Sequence, residues 1–266
     1  MRWKRKLAAL LMGVCMAAGL QAGPATAIVG GQEADPNRHQ FMAGLVDVRE
    51  SRVYCGATLI SPRYVLTAAH CVQGKNMRDL GVLLGDHDYG SGRDTHYAKL
   101  VRATGITVHE HYNLSTQAND IAVVRLAEAV ETNAGIQEAH LPWQYAPDTF
   151  DNRLVTAMGW GTLSFSGPVS TVLQSVELKT LTNAECVSRG VKALTPGSIC
   201  THTPGKDTCQ YDSGGPLVYY LPRPVLVGIV SYGIGCAGDV PTVNTRVASY
   251  LSWILENTPG ATYAVS

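Results

Sequence analysis

The chain has 266 residues, and its 21 Lys and Arg are matched by 21 Asp and Glu, so no net basic charge marks it for nucleic acid or an anionic membrane. It contains no internal repeat and no low-complexity tract, and its length suffices for one large domain or two small ones.

The first segment carries Arg2, Lys4, Arg5 and Lys6, then an apolar run from Leu7 to Leu20, then Ala25-Thr26-Ala27. This is the pattern of a secretory signal peptide over residues 1–27, which predicts a secreted, extracellular protein. The run is short for a membrane span, and no later segment reaches the ~18 apolar residues that a span needs, so no membrane association is expected. Removal of the signal takes away Cys15 and four cations, leaving 17 Lys and Arg against 21 Asp and Glu and a net charge near −4. Six cysteines remain: Cys55, Cys71, Cys186, Cys200, Cys209 and Cys236. An even count in an exported chain points to three disulfides, for which sequence alone allows 15 pairings. Zinc is the competing use of cysteine, but no Cys-x-x-Cys spacing occurs, so no metal is expected at these residues.

Short β-branched runs follow between scattered Gly and Pro: Val65-Leu66-Thr67, Ile121-Ala122-Val123-Val124, Leu154 to Met158, and Val225 to Val230. Such spacing predicts an all-β sandwich or barrel. Leu141 to Pro147, with two prolines, reads as the linker between two halves, 28–142 and 143–266. The one helix the periodicity predicts is terminal, where Val247, Tyr250, Leu251 and Ile254 recur at i, i+3, i+4 and i+7.

Three local motifs carry chemistry. Leu66-Thr67-Ala68-Ala69-His70-Cys71 sets a histidine beside a cysteine, Asn119-Asp120-Ile121-Ala122 supplies an acid before an apolar strand, and Cys209 to Pro216 sets Ser213 between Asp212 and two glycines. A serine hydroxyl is a weak nucleophile near neutral pH and needs a base, which in turn needs a group to fix its tautomer. Ser213, His70 and Asp120 fill those roles. An α/β-hydrolase elbow requires Gly-x-Ser-x-Gly, and Tyr211 occupies the first glycine position. The triad order in that fold is also the reverse of the one present.

With these motifs in order, together with Ile28-Val29-Gly30-Gly31, Gly159-Trp160-Gly161 and Val230-Ser231-Tyr232-Gly233, the chain resembles the chymotrypsin-family (S1) serine proteases of the trypsin-like branch over nearly all of residues 28–266. The resemblance implies two six-stranded antiparallel β-barrels with a C-terminal helix and a catalytic cleft between them. It further implies the cystines Cys55–Cys71, Cys186–Cys200 and Cys209–Cys236. His70, Asp120 and Ser213 would be the triad, and the backbone N–H groups of Tyr211 and Ser213 the oxyanion hole. Most relatives have glycine where Tyr211 stands; its bulk is expected to restrict the leaving-group side and to exclude some protein inhibitors. Asp207 would sit at the base of the primary pocket and favour Arg or Lys before the cut, with Ser231 and Gly233 along the substrate strand. Thr242 replaces a usual glycine, where it would narrow the pocket or bond to Asp207.

The resemblance also implies an activation switch in which the amine of Ile28 pairs with Asp212. Ala27 precedes that isoleucine in place of the usual Arg or Lys, so signal removal itself is expected to release the active N-terminus; cleavage after Ala22 with later trimming is the alternative. A bell-shaped pH profile follows from His70 at the acid end and the amine at the alkaline end. Protein or peptide substrates are the expected partners, acted on by a monomer without a cofactor. Asp86, Asp88 and Asp94, around His87, fall where some relatives bind calcium, although ordinary surface charge explains them equally. Asn113-Leu114-Ser115 is a glycosylation sequon, and His109-Glu110-His111 lacks a third metal ligand. The rival reading is a protease homologue that binds partners in the same cleft without cutting.

Overall fold

The computed structural model describes residues 28–92 and 94–264, so the signal-peptide segment 1–27 lies outside the described residues. A two-residue strand β1 (Gln32–Glu33) precedes six strands: β2 (Met42–Asp47), β3 (Arg52–Ser61), β4 (Tyr64–Thr67), β5 (Leu80–Leu84), β6 (Lys99–Val108) and β7 (Ala122–Leu126). They close as an antiparallel barrel in the order β2-β3-β4-β7-β6-β5. β8 (Leu154–Gly159), β9 (Gln174–Leu181), β10 (Ser198–Thr201), β11 (Pro216–Tyr220), β12 (Pro224–Tyr232) and β13 (Thr242–Arg246) close the second, in the order β9-β10-β13-β12-β11-β8. Closure pairs every barrel edge, and the register slips that bend the strands are bulges at Leu45/Val46, Leu59/Ser61, Ala103/Gly105, Leu217/Val218 and Val230/Tyr232.

Each predicted β-branched run lies in or against a strand, and Leu141 to Pro147 lies within the longer crossing between barrels, 127–153, which holds a 3-10 turn at Trp143–Tyr145. Both chain ends reach across that division. β1 pairs with β9 of the second barrel through Gln32 and Glu33. At the other end, a 3-10 turn (Val247–Tyr250) leads into a helix at Leu251–Asn257, and Val247, Tyr250, Leu251, Trp253 and Ile254 join the apolar cluster that holds Leu59, Val65, Leu66 and Val123 of the first barrel. Trp253 is fixed there, its indole N–H donating to Glu110 (2.9 Å) and its ring 5.1 Å from that of His109. Glu110 and His109 are thereby structural.

Two shorter helices escape the periodicity argument. α1 (Ala69–Val72) is one turn and carries His70, while α2 (Asn183–Ser188) is started by a capping box in which Thr182 and Glu185 satisfy one another's backbone N–H groups. The terminal helix is α3. All three expected disulfides form: Cys55–Cys71 ties α1 to β3, Cys186–Cys200 ties α2 to β10, and Cys209–Cys236 ties the Ser213 loop to the segment after β12.

Candidate active site

His70 sits on a one-turn helix that is too short to hold its own orientation, so neighbours must supply it. Cys71 bonds it to β3 through Cys55. Asp120, two residues before β7, then grips it twice: Oδ1 accepts the His70 backbone N–H at 2.9 Å and Oδ2 meets Nδ1 at 2.7 Å. The Asp120 side chain is completely buried. A buried carboxylate is stable only when its lone pairs are filled, and a third donor, the Ser231 hydroxyl, reaches Oδ2 at 2.5 Å. Ser231 can do so because it is the extra residue of the bulge between β12 and β13, which frees it from the ladder. Thr245 adds a bond to the Asp120 carbonyl at 2.7 Å. The sequence expectation gave Ser231 only a backbone role, and its hydroxyl is the residue contact that local motifs miss.

Ser213 is brought to the same place by β3. Its carbonyl accepts the Gly56 N–H at 2.8 Å and lies 3.6 Å from the Cys71 sulfur, while His70 Nε2 is 3.7 Å from that sulfur. Ser213 and His70 thus share a neighbour, although no hydrogen bond joins Ser213 Oγ to His70 among the described residues. Such bonds are often long before substrate arrives. Gly214, at φ +79°, lets the loop approach this closely: a Cβ there would stand 2.2 Å from Thr67 Oγ1 and 2.4 Å from the Gly56 carbonyl.

The loop's amides divide into two sets. Those of Asp212, Gly214 and Gly215 donate to Cys209, Val230 and Asp212 carbonyls. Those of Gln210, Tyr211 and Ser213 meet no protein acceptor among the described residues, and the last two are the pair expected to receive an oxyanion. Tyr211 adopts φ +73°, a left-handed conformation that costs a side-chain-bearing residue about 1–2 kcal/mol, and it is 36% exposed.

Asp212 points the other way, into the protein. Gly161 N–H donates to Oδ1 and Cys209 N–H to Oδ2, both at 2.9 Å. Glycines at 159 and 161 are required, since a Cβ at either would come within 2.5 Å of this carboxylate. Complete burial nonetheless pushes its pKa up to about 7, against the pull of those two donors. Ile28 is fully buried beside Val155, Ala157 and Leu217, and Val29 accepts the Asp207 N–H at 3.0 Å, which sews the leading residues to the pocket loop.

Next to Ser213 opens a pocket of about 230 Å³, lined by Thr208, Ser231, Gly233, Thr242 and the Cys209–Cys236 cystine. Asp207 stands behind that lining, 7% exposed, held by Thr242 Oγ1 (2.8 Å), Ala237 N–H (3.1 Å) and Thr208 N–H (2.9 Å). Of the two expectations for Thr242, bonding to Asp207 is realised, and its hydroxyl also crowds the pocket wall, 2.8 Å from where a Gly233 Cβ would be. Burial raises the Asp207 pKa above the ordinary carboxylate range in spite of its three donors. A larger hollow of about 450 Å³ beside Trp143 and Tyr263 pairs no nucleophile with a base.

Around the calcium candidate, Asp86 is pushed up to about 7 by burial first and then by its hydrogen bond and charge contact with Asp94. Asp88 turns aside to accept the Gly90 N–H at 3.0 Å. Two carboxylates converge where calcium takes six to eight oxygens. Among the described residues the only group of three His, Cys or acidic side chains close enough to share a metal is Cys55, His70 and Cys71, whose sulfurs are bonded to each other.

Comparison with known proteins agrees with this geometry. The family model described as Trypsin matches residues 28–254. The chain is 40% identical to brachyurin of Leptuca pugilator over 87% of its length and 98% of that protein. It is 34% identical to alkaline trypsin C of Manduca sexta over 94% and 98%. Venom serine protease 34 of Apis mellifera is 38% identical over 90% of the chain, which spans only 60% of that longer protein. With a buried acid on a histidine, a serine beside it in a cystine-tied loop, two β-barrels and a family match across nearly the whole described region, the chain belongs to the trypsin-like, chymotrypsin-family serine proteases.

Proposed function

We propose that this is a secreted, monomeric endopeptidase that hydrolyses peptide bonds of protein or peptide substrates through His70, Asp120 and Ser213 and an acyl-enzyme. The observation that carries the reading is the buried Asp120 carboxylate bonded to His70 Nδ1, because it fixes the tautomer in which Nε2 is free to take a proton. Ser213 Oγ attacks the carbonyl as His70 Nε2 accepts its proton. The backbone N–H groups of Tyr211 and Ser213 receive the developing oxyanion, each such donor contributing roughly 10²–10³ in rate. His70 then gives its proton to the leaving amine, and water repeats the sequence to free the acid.

Asp207 gives the pocket a preference for Arg or Lys before the cut, tempered by Thr242, which already donates to one of its oxygens. A substrate cation must therefore share that carboxylate or contact it across the threonine hydroxyl. Export is supported by the basic-apolar-small pattern of residues 1–27 and by the venom origin stated in the name of the Apis mellifera relative.

A serine-directed phosphonylating reagent tests the core of the reading: one equivalent is expected on Ser213 at neutral pH and none on Ser213→Ala. Failure of the mature chain to react would favour the non-cleaving, partner-binding reading. Peptides differing only in Arg, Lys, Phe or Ala before the cut test the pocket; Phe or Ala turning over faster than Arg would refute the assigned preference.

A further inference from the structure

Three stretches of chain meet around the hollow of about 450 Å³: the crossing between the barrels, the turn that joins β11 to β12, and the residues that follow α3. No residue around it also lines the pocket beside Ser213. Its size is that of a site for a small organic molecule. Trp143 and Tyr263 form one wall, their ring centres 6.1 Å apart and their planes inclined by 59°, and Leu141 and Val225 extend the apolar surface.

Two polar side chains on this lining lack a counterpart. His140 is 6% exposed, and its Nδ1 has no hydrogen-bond partner among the described residues. The backbone beneath it is fixed, its N–H donating to the Pro224 carbonyl at 3.0 Å and its carbonyl accepting the Leu226 N–H at 2.8 Å. Burial first, and then the charge of Arg223, lower its pKa, so the ring is neutral at pH 7 and carries one proton. Arg223 stands exposed in the β11–β12 turn, and no carboxylate lies within 4.0 Å of it among the described residues.

A buried polar atom is normally paired, so the His140 nitrogen calls for an occupant. Water would suit the nitrogen and not the aromatic wall beside it. A cation is repelled by Arg223, whereas a carboxylate fits the planar fork of a guanidinium and can also accept an imidazole N–H. We infer that the hollow is a binding site for a small aromatic carboxylate, whose ring lies on Trp143 and Tyr263 while its oxygens meet Arg223 and His140 Nδ1. A ligand held so ties the crossing to the second barrel and to the tail after α3, and it stabilises the folded chain without entering the catalytic cleft.

The experiment titrates the full chain with 2-naphthoate, with 2-naphthamide, which keeps the ring and loses the charge, and with acetate, which keeps the charge and loses the ring. Calorimetry is expected to give naphthoate a Kd of about 1 mM, several times tighter than naphthamide, and acetate no measurable binding. At ten times that Kd the melting temperature should rise by roughly 3–6 °C. Arg223→Gln, a change on an exposed turn, should weaken naphthoate about fivefold and bring it level with naphthamide. His140→Phe should weaken both acids of the ring series less than it disturbs folding if the ring only packs, and naphthoate selectively if Nδ1 binds it; Arg223→Gln decides should that variant fail to fold. No binding of naphthoate up to 10 mM, equal affinity for naphthoate and naphthamide, or competition by naphthoate against an Arg ester at the cleft would each overturn the inference.

Discussion

The most consequential single side chain outside the expected triad is Ser231. Its hydroxyl is one of three donors on a carboxylate that has no access to water, and a hydrogen bond to a charged group is worth about 1.5–3 kcal/mol. On the triad reading Asp120 in turn stabilises the imidazolium that His70 would become in the transition state, so a loss here would fall on chemistry more than on binding. Ser231→Ala is expected to lower kcat by roughly tenfold with little change in KM. Ser231→Thr keeps a hydroxyl and should recover most of the loss. Steady-state kinetics on one Arg peptide decides between roles: equal damage from Ala and Thr would mean that Ser231 matters for packing and not for its hydrogen bond. Thr242 makes the complementary point about binding, since a donor within the protein has taken up part of the Asp207 charge that a substrate would otherwise meet alone.

At the scale of elements, the Val29–Asp207 bridge sews the leading segment to the loop before Ser213, and an Ile28 amine paired with Asp212 would make that segment a lever on the loop. Without a cation facing it, Asp212 titrates near 7 because of burial. An acid with a raised folded pKa draws stability away as pH climbs from its unfolded value near 4 up to the folded one. A free Ile28 amine reverses the sign: pairing keeps Asp212 ionised and raises the amine above its usual ~8, and the gain persists until pH passes the folded amine value. A chain beginning at Ile28 should therefore melt higher at pH 7 than one beginning at Ala27, by roughly 6–12 °C if the buried pair is worth about 3 kcal/mol, with the difference shrinking above pH 9. Equal melting temperatures at pH 7 would remove the lever. The sequence discloses the strands of this machinery well, since β4, β7, β8 and β12 are apolar runs set between turn residues. Its local motifs single out His70, Asp120 and Ser213, of which the fold joins the first two directly. α1 and α2 are hidden from periodicity because four and six residues give no repeat, although the Thr182 and Glu185 spacing is a readable start signal. The Ser231 hydroxyl is hidden for another reason: it lies 111 residues from Asp120 and is aimed by a register slip, which only the folded sheet defines.

At the scale of the whole molecule, the division at the Leu141 to Pro147 crossing is bridged twice. Gln32 and Glu33 belong to the second barrel's sheet although they precede the first barrel in sequence, and Glu33 also holds His87 of the first at 3.0 Å. Trp253 and Ile254, at the far end of the chain, complete the apolar cluster of the first barrel. The cleft is built the same way, with Asp120 of one barrel, which holds His70, bonded to Ser231 and Thr245 of the other. Neither barrel can lose its structure without stripping contacts from its partner, so the two should unfold as one unit with disulfides intact. Guanidinium titrations followed by far-ultraviolet circular dichroism and by tryptophan fluorescence are expected to superimpose in a single transition. Trp253→Ala, which empties a site 8% exposed and strands Glu110, should lower stability by about 3–5 kcal/mol while keeping the transition single, because the loss falls on a contact that both halves require. A variant that instead resolves into two steps would show that the barrels hold themselves up separately, and that the chain ends only join two finished domains.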